Sequence, residues 1–201
     1  MNKSENISAA VLDKSFKGES GVLYTMFSAR EGVFNCLKKI GVKSFGTLPD
    51  FFDEVSIDAE FIGQSDLRIM RDFEIIKGRG AMSKNYDAFL HAGEMCRCLI
   101  KNGKYLESPA PVHGAFQAAL DAMAQGARPA LTRFKFMYVF AKGEGYALKQ
   151  DFAKTLPVNL RAALREALTK PAQDCIMTQA EEAALLKNLL VWLAENTDFA
   201  S

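Results

Sequence analysis

The chain has 201 residues, 49% of them hydrophobic, and its 25 Lys+Arg against 24 Asp+Glu leave a formal net charge of +1. That length can bury a core in two modules, while no apolar run approaches the roughly 18 residues that a membrane helix needs. Residues 1–80 hold 11 basic against 12 acidic side chains and residues 81–201 hold 14 against 12, which excludes a broadly basic face and confines any phosphate footprint to a local patch.

The opening MNKSENISAA has one lysine and no apolar centre, so no secretory signal is expected and the chain is placed in the cytoplasm. Residues 8–16 and 20–28 read as strands joined through Lys17 and Gly18, because Val22 to Phe27 is rich in β-branched and aromatic types. Ala29-Arg30-Glu31-Gly32 is the next turn, its glycine free to take positive φ, and it feeds a third strand over 33–40. Val55, Ile57, Ala59 and Phe61 alternate with polar residues, the mark of a strand with one buried face. Residues 67–76 fit strand or helix, since Leu67, Met70 and Phe73 also have helical spacing.

After Gly78 and Gly80, read as a hinge, the period becomes helical, and Tyr86, Phe89, Leu90, Gly93, Cys96 and Ile100 are expected on the buried face of a first helix. Ser108 and Pro109 start a second, with Val112, Phe116, Ala119, Leu120 and Met123 as its apolar stripe. Residues 128–142 form a third, ended by Gly143 and Gly145. Pro157 begins a fourth that buries Leu160, Ala163, Leu164, Ala167 and Leu168, and Thr178 with Glu181 makes a capping box for a last helix carrying Leu185, Leu186, Leu189 and Leu193.

Little in the chain suggests catalysis. There is no phosphate-binding loop, no dinucleotide fingerprint and no metalloprotease helix, and His91 and His113 have no nucleophile in a recognisable arrangement. Cys36, Cys96, Cys98 and Cys175 lack knuckle spacing, and Cys96 and Cys98 would point about 200° apart on a helix, so no metal and no cofactor are expected. The densest cations are Arg30, Lys38, Lys39 and Lys43, with Phe45 between Ser44 and Gly46 as the best base-stacking ring among Phe34, Phe45, Phe51 and Phe52. Arg68 and Arg71 are expected to pair on the surface with Asp72 and Glu74, whereas Lys77, Arg79 and Lys84 sit in a glycine-loosened junction able to follow a phosphate backbone.

The run of short apolar segments over 9–40 looks like the opening hairpins of an OB-fold barrel. With G-E-S-G, then A-R-E-G, and later the phrase R-F-K-F-M-Y-V-F-A-K-G-E-G-Y from Arg133, most of the chain resembles the bacterial recombination mediator family RecO. The resemblance implies an α+β chain, an OB-fold β-barrel over 1–80 followed by an all-α domain over 81–201, with residues 67–76 as the last barrel strand. It also implies a noncatalytic DNA repair and recombination role: binding and annealing single-stranded DNA, contact with single-strand DNA-binding protein and RecR, and help in loading RecA. In the family the loop matching Lys38 to Lys43 is basic, and the helix matching Arg133, Phe134, Met137 and Tyr138 helps to hold the acidic C-terminal tail of single-strand DNA-binding protein. Some relatives carry a four-cysteine zinc module after the G-Y phrase; here that stretch reads KQDFAKTLP, without cysteine. The alternative is a protein-interaction adaptor of the same fold with little or no DNA binding.

Overall fold

The computed structural model describes residues 4–40, 47–61 and 67–199. Five strands, β1 Ser4–Phe16, β2 Gly21–Ser28, β3 Gly32–Lys39, β4 Glu54–Phe61 and β5 Leu67–Lys77, close into a barrel in the order β1-β2-β3-β5-β4. The pairs are antiparallel except β3 with β5, which run parallel, and β4 returns to β1 to seal the barrel. This is an OB-fold barrel, and residues 67–77 form its last strand. Closure leaves no open sheet edge.

Strand alternation sends the two faces to different destinations. Ile7, Ala9, Val11, Val22, Tyr24, Met26, Cys36, Val55, Ile57 and Ala59 point into the barrel, whereas Ala10, Leu12 and Phe27 point outward into a second core shared with the helices. The pairing of β1 with β2 shifts register between Val11 and Asp13. Gly18 and Gly32 take φ of 63° and 68° in the first two hairpin turns. At Gly32 a side chain would also be crowded, because a Cβ would lie 3.1 Å from the carbonyl oxygen of Gly103.

The helices are α1 Tyr86–Asn102, α2 Pro109–Ala124, α3 Pro129–Gly143, the single turn α4 Phe152–Thr155, α5 Val158–Thr169 and α6 Gln179–Asn196. Asn85 caps α1 through Ala88 N–H, and the Thr178–Glu181 capping box is formed. The stripes expected on α2 and α6 are buried as read.

Two helix faces differ from the sequence reading. On α1 the buried residues are Ala88, Ala92, Met95, Cys96, Cys98 and Leu99, while Tyr86 is 76% exposed and Phe89, Leu90 and Ile100 are also exposed. The buried face is rotated from the expected one because α1 packs on both β1 and α3, and it combines Ala88 and Ala92 with the larger Met95 and Leu99. On α5, Leu168 faces solvent although Leu160, Ala163, Leu164 and Ala167 are buried. The glycine pair at 78 and 80 is no hinge, for the residue between them is among the most firmly held in the molecule.

That residue is Arg79, whose side chain is 1% exposed. Its guanidinium donates to Asp121 Oδ1 at 2.6 Å, to Gln117 Oε1 at 2.6 Å and to the Phe52 carbonyl at 2.7 Å, and its backbone N–H donates to Asp53 Oδ1 at 2.8 Å. Lys77 adds a 2.7 Å ion pair with Asp121. The end of the barrel is thereby locked to α2. Burial works against ionisation of Asp121, but hydrogen bonds from Lys77 and Arg79 outweigh it and hold the carboxyl below its ordinary range.

Candidate peptide-binding site

Helix α3 begins with Pro129 at its first turn and presents Arg133 and Met137, one turn apart, to the same side. That side meets α1 and α6 around a cavity of about 280 Å³ lined by Glu94, Arg97, Cys98 and Lys101 of α1, Leu190 and Leu193 of α6, and Phe199 beyond α6. The floor is apolar and the rim carries three cations against one carboxylate. Glu94 is shared, ion-paired with Arg97 and 3.5 Å from Arg133 Nη2.

Arg133 is held mostly out of water, its side chain 15% exposed, and its Nε is buried without a hydrogen-bond partner. Burial lowers its pKa, an effect that Glu94 partly offsets. The pKa of His91, one turn before Glu94 on α1, is also lowered, by burial first and by Arg133 second, with Asp87 and Glu94 opposing. A guanidinium with an unused donor beside an apolar cavity is suited to a ligand that combines a carboxylate with a hydrophobic end. The Cys98 thiol in the wall is pushed up to about 12 by burial and serves as an apolar surface.

Of the four α3 residues expected to hold a peptide, Arg133 and Met137 reach the cavity. Phe134 and Tyr138 do not: their rings pack on each other at 6.1 Å, Phe134 inside the helical core and Tyr138 at its edge. Both lie about a quarter turn round the helix from the cavity wall, which is why adjacency in sequence misled. Arg97, Lys101, Leu190, Leu193 and Phe199 were not anticipated; the one sequence signal was the like-charged i, i+4 pair of Arg97 and Lys101.

The basic residues assigned to nucleic acid disperse. Arg79 is a buried structural clamp, and Lys77 is tied to Asp121, so neither is available to a phosphate backbone. Arg30 pairs with Glu5 and Glu31 at 3.4 and 3.2 Å while remaining exposed. Lys38 donates to the Arg71 carbonyl at 2.7 Å and sits over the Phe73 ring at 5.3 Å. Lys39 and Lys84 are exposed and carry no ion pair among the described residues. Lys43 and Phe45 lie outside the described residues.

Arg71 forms the expected kind of surface pair, though with Glu60 at 2.6 Å. Arg68 is different from its expectation. It is buried, bonded to Glu31 at 2.7 Å, and its guanidinium carbon lies 4.2 Å from the centre of the Phe34 ring and 4.9 Å from that of Phe61. Phe34 is therefore already stacked by the protein itself. Phe52 is buried between the barrel and Phe89, at 5.3 Å, with a φ of 70° that its turn enforces.

Among the described residues no three His, Cys, Asp or Glu side chains gather where they could hold a metal ion, and no helix is long and apolar enough to cross a membrane. Comparison with known protein families finds no family model that matches the chain, and no curated protein matches it.

Proposed function

We propose that the chain is a RecO-like, noncatalytic recombination mediator whose helical domain captures an acidic peptide ending in an aromatic or other apolar residue, of the kind carried by single-strand DNA-binding protein. One observation carries this reading: Arg133, with an unpaired buried Nε, stands over an apolar cavity whose rim bears Arg97 and Lys101 against Glu94 alone. The apolar end of the peptide occupies the floor formed by Met137, Leu190 and Leu193 while its carboxylate meets Arg133. Losing one charge-assisted contact typically costs about 1.5–3 kcal/mol, roughly ten-fold or more in affinity. Fluorescence anisotropy with a labelled acidic peptide ending in phenylalanine tests the assignment: Arg133→Ala weakens binding by that factor, and Lys38→Ala leaves it unchanged. A wild-type protein that ignores the peptide at low salt ends this reading.

In this role the OB barrel would contact single-stranded DNA, with RecR and RecA as further partners of the assembly. A second reading, an adaptor of the same fold with little or no DNA binding, is favoured by the internal engagement of Arg30, Lys38, Lys77 and Arg79. A titration with single-stranded DNA at several salt concentrations separates the two, because a mediator that neutralises phosphates loses affinity steeply as salt rises. No measurable binding at low salt selects the adaptor.

A further inference from the structure

The segment that follows α6 returns to the cavity. Thr197 leaves the helix in an extended conformation, φ −144° and ψ 169°, and two residues later the Phe199 ring forms part of the cavity wall. Phe199 is 6% exposed and packs edge-on to Phe140 at 5.2 Å and to Tyr146 at 6.4 Å. Its neighbour Asp198 accepts a hydrogen bond from the Tyr146 hydroxyl. The chain thus places an aromatic ring with an adjacent carboxylate, the same chemistry proposed for the ligand, at the edge of the site proposed to receive it.

Thr197 is anchored to α6 through its N–H and Oγ1, both on the Leu193 carbonyl at 3.1 and 2.6 Å, but beyond it the polar contacts are few. Among the described residues, no backbone hydrogen bond ties residues 198 and 199 to another element; the Phe199 N–H donates to Thr197 Oγ1 at 3.1 Å, and the Asp198–Tyr146 bond is made at the protein surface. The Asp198 carboxylate turns to Tyr146 rather than to Arg133, which among the described residues is ion-paired with Glu94 and keeps its Nε without a hydrogen-bond partner. An incoming peptide able to use both the ring position and the guanidinium therefore has contacts that the internal segment lacks. That difference in contacts is what shifts an equilibrium between two occupants.

We propose that residues 197–199 are a displaceable internal occupant that regulates the pocket: Phe199 closes its apolar end until an acidic, aromatic-ended peptide takes its place. This inference rests on the peptide-capture reading above. Closure lowers the apparent affinity by the fraction of molecules that are open, so loosening the segment raises affinity without adding any contact to the ligand. Tyr146 and Asp198 are positioning residues in this scheme, because they act only through Phe199.

The test measures binding of a labelled peptide of aspartates ending in phenylalanine to wild type, Tyr146→Phe and Asp198→Asn, with thermal melting as a check on folding. Removing one hydrogen bond from the closed state tightens binding by roughly two- to ten-fold in each variant. Fluorophenylalanine placed at 199 reports the segment directly: its resonance moves toward the mobile, solvent-exposed position as peptide saturates the site. A separate peptide with the sequence of residues 195–199 competes with the label for the pocket. Equal affinity in wild type and both variants, with the 199 resonance unmoved at saturation, makes Phe199 a permanent wall and overturns the inference while leaving peptide capture intact. Absence of peptide binding in all three proteins overturns both.

Discussion

The arginines of the barrel and those around the cavity between α1, α3 and α6 are used in different ways. In the barrel, Arg68 is enclosed by Phe34, Phe61 and Glu31, Arg71 is matched by Glu60, and Arg79 is spent on α2 and the Phe52 carbonyl. At the junction of α1, α3 and α6, Arg97 and Arg133 share Glu94 beside an apolar hollow that Lys101 also lines. Cations are densest along the sequence in the barrel, yet the cavity with cations on its rim lies among the helices. Arg68 also keeps two buried donors, Nε and Nη1, without a hydrogen-bond partner, but Phe34 and Phe61 cover its guanidinium, whereas Arg133 adjoins an apolar cavity that a ligand can use.

The comparison breaks most readily at Arg79. Removing one partner from a buried pair strands the others, so Arg79→Ala is expected to lower stability by about 3–5 kcal/mol, read as a fall in the urea midpoint. It is expected not to act as a selective loss of nucleic-acid affinity in protein that remains folded. Arg133→Ala gives the converse pattern, a ten-fold or larger loss of acidic-peptide binding with a smaller change in the urea midpoint than Arg79→Ala. If Arg133→Ala unfolds the protein as severely as Arg79→Ala, the contrast between the two regions is void.

A third measurement concerns the lysines assigned to nucleic acid. Charge reversal of Lys38, Lys39 and Lys43 together is expected to abolish whatever single-stranded DNA binding the wild type shows, and to flatten its salt dependence, with melting temperature unchanged. Persistence of binding moves the nucleic-acid surface away from the third strand and the segment after it. The smallest effect is a pH dependence. Burial, opposed by Glu54 and reinforced by Arg79, keeps the His113 pKa below its ordinary value, and His91 is depressed too. The unfolded chain then takes up protons first, so stability is complete above about pH 6.5 and declines as pH falls below it. A second decline follows below about pH 4, as the depressed Asp121 carboxyl is protonated and its bonds to Lys77 and Arg79 are lost. Urea midpoints measured from pH 8 to pH 3 check both steps, and His113→Gln is expected to shrink the first.

Most of the architecture could be read from residue patterns. Alternation at Val55, Ile57 and Ala59, positive φ at Gly32, the Thr178–Glu181 capping box and the α2 stripe are local features, and the structure realises each of them. Errors occurred where two patterns competed for one segment. On α1 the stripe through Tyr86, Phe89, Leu90 and Ile100 lost to one that combines Ala88 and Ala92 with Met95, Cys98 and Leu99, because the helix packs on both β1 and α3. The site was only half readable. Arg133 and Met137 were identified from their phrase, but the cavity they line also needs α1, α6 and a residue far along the chain, Phe199.

Backbone preferences and hydrophobic period act over a few residues, so one strand, turn or helix cap carries its own instructions, and the barrel followed by helices was implicit in their order. Charge pairing and cavity shape act between residues that only folding brings together. Arg79 and Asp121 are 42 positions apart, and Tyr146 and Asp198 are 52 apart. A linear chain gives no sign of which cation will find a carboxylate at 2.6 Å and which will be left with a donor unused, because that depends on how the helices close against the barrel and against one another.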